Sequence, residues 1–239
     1  MKQPSRRDQK VRERRDPLAT RRALLRAGAE LFSERGFDGV PIEEVADRAG
    51  VNKALISYHF RGKRGLYVAI LESAFAAMAE RLKAIEAGAR DAREALHAYV
   101  LAFGEMTRES PGFPTLFLRE VLRTGIEPAV LPHLLEIIGV SRRLAERGTR
   151  EGLFRPVDPL LMHFGLVGSL VFFFATEPAR RRAVALGRVP FAMPDSSAFL
   201  RYLEELTLRG LAPEIPSGRT PGPAPEEPPS RSRRKGVRA

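Results

Sequence analysis

The chain has 239 residues, enough for one large domain or two small ones, and 44% of them are hydrophobic. It has no cysteine, which excludes disulfides, zinc–thiolate sites, iron–sulfur clusters and a cysteine nucleophile, and makes a cytoplasmic protein the expectation. Forty Lys and Arg against 29 Asp and Glu leave a net charge of +11, which points to nucleic acid, to an anionic membrane surface or only to solvated ends.

The distribution of that charge is uneven. Residues 1–16 carry net +4, residues 17–67 net +3, residues 68–211 net +1 and residues 212–239 net +3, so a nearly neutral body bears basic ends. Residues 1–15 are polar and Arg-rich and read as a disordered basic arm. The start MKQPSRRDQKVRERRD has no apolar stretch behind its charges, so no signal peptide is expected. Asp16–Pro17 opens the first helix, with a side-chain acceptor at the N-cap and proline at the first helical position. Leu24, Gly28, Leu31 and Phe32 follow at helical spacing, and Gly36 stops the run. A second helix is expected over about Ile42–Arg48, and Ala49–Gly50–Val51 reads as a short turn. A third helix starts at Asn52 and runs to about His59, and a long fourth spans about Lys63–Ala87. Further helices are expected near 91–108, 113–123, 129–150, 158–175, 178–186 and 195–210, broken at proline and glycine. The longest apolar stretch, Leu160 to Ala175, contains His163 and falls short of the roughly 20 residues a membrane span needs, so no membrane partner is expected. Seven of the 19 prolines crowd into residues 212–239, which reads as a disordered Pro/Arg-rich tail.

Residues 42–59 have the size of a helix-turn-helix. Val45, Ala46 and Ala49 supply small contacts where two short helices cross, and Gly50 permits the left-handed backbone of a tight turn. Val51 plugs the space between the helices, and Asn52 caps the second. The first turn of that helix can then enter a major groove, with Lys53, Tyr58, His59, Lys63 and Arg64 placing donors where phosphates would lie. For each of these, a solvated charge or a half-buried packing residue is the alternative. The same two readings hold for Arg21 and Arg22 and for the arginines of the arm.

The stretch from Arg22 to Ile70 resembles the DNA-binding domain of the TetR family of transcriptional repressors. The resemblance is carried by AELFSERGFD at 29–38, IEEVADRAGVNK at 42–53, LISYHF at 55–60 and KRGL at 63–66. It implies that Phe60 locks the recognition helix to its neighbours and that Asn52, Lys53, Ala54, Leu55 and Ser57 face the groove. It also implies that Tyr58 and Lys63 contact phosphates. Two positions depart from the family pattern: Val40–Pro41 stands where many members have a capping threonine, and Ala54-Leu55-Ile56-Ser57 stands where many have Gly-Thr-Leu-Tyr.

The expected fold is all-α, with a three-helix DNA-binding domain over 16–67 and a helical ligand-binding and dimerisation domain over 68–211. Asp158–Pro159 opens a helix that is apolar nearly all round, and Phe199, Tyr202, Leu203 and Leu206 mark one face of the last. Such helices pair across a two-fold axis in the family the chain resembles, so Gly165, Gly168, Phe172 and those four residues are the candidate dimer interface, with an internal core as the alternative. A pocket among helices 4 to 8 has Tyr99, Phe103, Met106, Phe117, Leu134, Met162, His163 and Leu166 as candidates, and Arg119–Glu120 as a polar anchor or an internal salt bridge. The four histidines show no metal-binding spacing, and no nucleophile elbow, P-loop or dinucleotide fingerprint occurs, so no metal, cofactor or enzymatic activity is expected. The expected function is a homodimeric, ligand-responsive transcriptional regulator, a repressor of a palindromic double-stranded operator that answers to a hydrophobic or amphipathic small molecule. A constitutive DNA-binding or architectural protein is the alternative.

Overall fold

The computed structural model describes residues 16–213, and within them it is helical throughout. Most of the arm and tail expectations fall outside the described residues. In chain order the helices are α1 (Pro17–Arg35), α2 (Ile42–Ala49), α3 (Ala54–Phe60), α4 (Lys63–Gly88), α5 (Ala92–Glu109), α6 (Phe113–Thr124), α7 (Leu131–Arg150), α8 (Pro159–Ala175), α9 (Glu177–Ala185) and α10 (Ser196–Leu211).

Local chemistry accounts for the helix ends. Asp16, Asp91, Asp158 and Asp195 each cap a helix through a side-chain oxygen that accepts backbone N–H groups, and Pro17 and Pro159 occupy first-turn positions that need no donor. Pro41 precedes α2 without a side-chain cap, as its chemistry dictates, and Glu43 and Glu44 in the first turn offset the helix dipole instead. The third helix begins two residues later than expected. Asn52 Oδ1 accepts the Ala54 amide at 2.8 Å, so it closes the turn ahead of the helix.

Two cores share α4. Leu24, Leu31 and Phe32 of α1, Val45 of α2, and Ile56 and Phe60 of α3 are buried against Leu66, Tyr67 and Ile70 in the first turns of α4. The rest of α4 packs along α7 and α5, and α8 and α10 close the body. A Cβ on Gly65 would sit 1.7 Å from the Phe60 carbonyl, so only glycine lets α3 lie this close to the start of α4. α6 packs against α8 on one side and α1 on the other. Among the described residues no single helix is long and apolar enough to cross a membrane, and α8 with α9 reaches that length only across a 42° bend.

Candidate nucleic-acid interface and cavity

The helix-turn-helix is built by α2, the turn 50–53 and α3. Gly50 adopts φ 67°, and the Val51 amide donates to the Ala46 carbonyl at 3.0 Å, which folds the chain back sharply enough to cross α3 over α2. Ile56 and Phe60 anchor α3 from below. Asn52, Lys53, Ala54, Ser57 and Tyr58 are exposed on its outer face, and Leu55 and His59 are half-buried at its edges. Tyr58 is 77% exposed, an unusual position for a large ring, and it leans edge-on against His59. Lys53 reaches back to α2, where its ammonium lies 2.9 Å from Glu43 and holds that carboxyl below the usual carboxylate range.

Lys63 and Arg64 separate. Arg61 takes a left-handed turn with φ 61°, and Gly62 follows at φ 115°, which together swing the chain out of α3 and into α4. No side chain caps α4, so its first amides and the Lys63 ammonium, which sits 4.6 Å over the Phe37 ring, share one open corner beside α3. A helix N-terminus with a lysine beside it is a ready anion site. Arg64 stays exposed, and its guanidinium pairs with Glu127 and lies 3.3 Å from Glu120, so two carboxylates from α6 and the segment after it share its charge.

Glu120, read from the sequence with Arg119 as a polar anchor or an internal salt bridge, is 2% exposed, and its partners Arg64 and Tyr67 had no signal in the sequence. Its carboxylate accepts the Tyr67 hydroxyl at 2.9 Å as well as Arg64, while the adjacent Arg119 donates to the Ser33 carbonyl of α1 at 3.2 Å. The outer face of α6 thus grips the DNA-binding domain. Its inner face, through Phe113, Phe117 and Val121, lines an apolar cavity of about 630 Å³ enclosed by α4 to α8. No local pattern signals this arrangement, since the bonded partners are more than fifty residues apart.

Of the candidate pocket residues, Phe103, Met106, Phe117, Leu134 and His163 line this cavity. Arg119 does not, being committed to α1. Met162 and Leu166 lie on the opposite inward flank of α8, the side on which Phe173 stacks on Phe199 of α10 with ring centroids 3.8 Å apart. Tyr99 stands behind the wall and bonds Ser141, which in turn bonds His163. Burial pushes the Tyr99 phenol up and the His163 imidazole down, so both stay neutral near pH 7.

The candidate dimer residues divide the same way. Phe199 and Leu203 are used within the chain, whereas Tyr202 and Leu206 are exposed. On α8, Leu161, Phe164, Gly165, Gly168 and Phe172 recur at helical spacing along one exposed stripe, with Phe164 65% and Phe172 67% exposed. Phe164, Gly168 and Phe172 also border the cavity.

Residues 24–70 match the family of bacterial regulatory proteins of the tetR type. The transcriptional repressor NicS of Pseudomonas putida is 28% identical over 197 residues, covering 80% of this chain and 92% of NicS. Among solved structures, the TetR family regulator PfmR of Thermus thermophilus superposes with a TM-score of 0.63 at 22% identity, covering 80% of this chain and 99% of PfmR. The regulator FadR of Bacillus subtilis, solved with stearoyl-CoA, superposes with a TM-score of 0.66 at 16% identity over 79% of this chain and 98% of FadR.

Proposed function

The chain belongs to the TetR family of transcriptional regulators, and on that premise we propose that it is a homodimeric repressor whose hold on a palindromic operator is released by an apolar or amphipathic small molecule. The observation that carries this reading is the double role of α6. One face lines the cavity through Phe113 and Phe117, and the other holds α1 and α4 through Arg119 and Glu120. A ligand that displaces α6 therefore moves the DNA-binding domain, and a coupling of about 1–3 kcal/mol is enough for regulation.

Dimerisation follows from the reach of α3. One short helix reads only a few base pairs, and two related by a two-fold axis read half-sites about one or more DNA turns apart. The exposed apolar stripe of α8, with Tyr202 and Leu206 of α10, is the surface that a second copy would cover. A partner seated there also roofs the edge of the cavity at Phe164 and Phe172. The complex of FadR with stearoyl-CoA, a long hydrocarbon chain on a charged carrier, supports an amphipathic effector for this helical architecture.

Operator selection from genomic fragments tests the proposal, which expects enrichment of one inverted repeat and its release by an apolar compound. Enrichment of no repeat, or of single half-sites, overturns it. On that operator, Lys63→Ala and Tyr58→Phe are expected to weaken binding without changing the melting temperature. The lysine variant is expected to lower the slope of log affinity against log salt by about one unit, as the loss of one phosphate contact requires. An unchanged slope removes Lys63 from the interface.

A further inference from the structure

The cavity wall contains one polar device. Among the described residues its lining has no charged side chain. Of the polar side chains there, the Thr107 hydroxyl gives its proton to the Gly104 carbonyl at 2.8 Å and so offers a ligand no donor, and the other is His163. His163 is 3% exposed, and its Nδ1 lies 2.9 Å from Ser141 Oγ. Nε2 bonds no group of the protein among the described residues. Yet no sealed side-chain nitrogen or oxygen there lacks a partner, so Nε2 opens onto the cavity that its ring lines.

The proton arrangement behind the ring follows from counting donors. Ser141 Oγ has three neighbours: the Tyr99 hydroxyl at 3.0 Å, His163 Nδ1 at 2.9 Å and the Ile137 carbonyl at 3.3 Å. A carbonyl only accepts, so the single Ser141 proton goes to Ile137. The buried Tyr99 hydroxyl then donates to Ser141 Oγ. All three contacts are hydrogen bonds only if His163 Nδ1 also carries its proton and donates to that oxygen. Any other assignment gives up one of the three contacts, each worth about 0.5–1.5 kcal/mol. The neutral ring thus presents a bare lone pair at Nε2.

We propose that the effector is an uncharged, largely apolar molecule bearing a hydroxyl, an alcohol or a phenol, which donates its proton to His163 Nε2. This rests on the reading of the cavity as the effector site. The apolar walls take the hydrocarbon, and a carboxylate would meet a lone pair in a lining without a cation. Ser141 and Tyr99 act as positioning residues, holding the tautomer without touching the ligand.

Displacement of a fluorescent apolar dye from the full-length protein by decanol, its methyl ether and decanoate at neutral pH tests this. Decanol is expected to bind at least about tenfold more tightly than either, the equivalent of one hydrogen bond to a buried group. His163→Leu is expected to erase the preference for the alcohol over the ether, while leaving naphthalene binding within about threefold, because naphthalene makes no hydrogen bond to the ring. Ser141→Ala frees the tautomer and is expected to shrink the alcohol-to-ether ratio, a change that loosened packing alone would not produce. Equal binding of the ether or of decanoate by the parent protein overturns the hydroxyl assignment and leaves the effector cavity standing. Failure of all three compounds to bind a protein that still binds its operator overturns the effector reading itself, and this inference with it.

Discussion

Gly165→Glu is expected to fold as well as the parent chain, to sediment as a monomer and to lose its operator. Gly165 is exposed on α8, and a Cβ placed there meets nothing within 4 Å, so the substitution costs the isolated chain no contact. Replacing glycine inside a helix with a better helix former instead stabilises the chain, by up to about 1 kcal/mol. In the proposed dimer the two glutamates would lie in an apolar stripe formed by Leu161, Phe164 and Phe172. Burying an unpaired carboxylate there costs several kcal/mol, which weakens dimerisation by at least about a hundredfold. Operator affinity falls with it, because each α3 then reads a half-site alone. Sedimentation velocity and a mobility-shift titration check the two halves of the result. A Gly165→Glu protein that remains dimeric shows that copies do not meet through this face.

Glu120→Ala is expected to be the more damaging change to the fold. It leaves the buried Tyr67 hydroxyl without this acceptor and removes one of the two carboxylates that neutralise Arg64. Arg64 is exposed and keeps Glu127, so the main loss is the acceptor of the buried Tyr67 hydroxyl, about 1–3 kcal/mol, a fall in Tm of roughly 2–12 °C for a domain of this size. Tyr67→Phe alone is expected to cost about 1–2 kcal/mol, since it removes the donor and leaves the carboxylate with Arg64. The double-mutant cycle should show a coupling of at least about 0.5 kcal/mol, because both residues serve one bond. The same variant tests signalling. With the α6–α4 tie cut, an effector should still bind the cavity yet release the operator less completely. A Glu120→Ala protein with parental Tm and full release would show that the network neither supports the fold nor carries the signal.

The order and type of the helices were legible in the chain because their causes are local. Asp–Pro pairs mark the starts of α1 and α8, apolar residues at helical spacing mark their inner faces, and Gly50 marks the turn of the helix-turn-helix. The family resemblance over Arg22 to Ile70 rests on the same local features. The candidate site was legible only in part. Phe103, Met106, Phe117, Leu134 and His163 line the cavity, but Met162 and Leu166 do not, although all are apolar or half-polar residues in helices of the same layer. Facing a cavity rather than a filled core depends on a rotation of the helix that composition does not record.

Charge shows the division most clearly. The basic excess that marked the first quarter of the chain does not act as one surface. Lys53 is paired with Glu43, Arg48 with Glu30 and Arg35 with Glu44, while Lys63 lies half-buried over the Phe37 ring at the head of α4. Arg64, its neighbour in sequence, is exposed but paired with Glu120 and Glu127 from more than fifty residues away. The sequence by itself determined that the protein is helical, that a helix-turn-helix stands near its start and that its ends are basic, because turns, caps and periodicity act over a few residues. The tertiary structure decided which carboxylate each cation meets, which face of α10 is spent within the chain and which residues border the cavity. Those follow from how distant helices pack, and the pairing of groups far apart in the chain is set by packing rather than by local pattern.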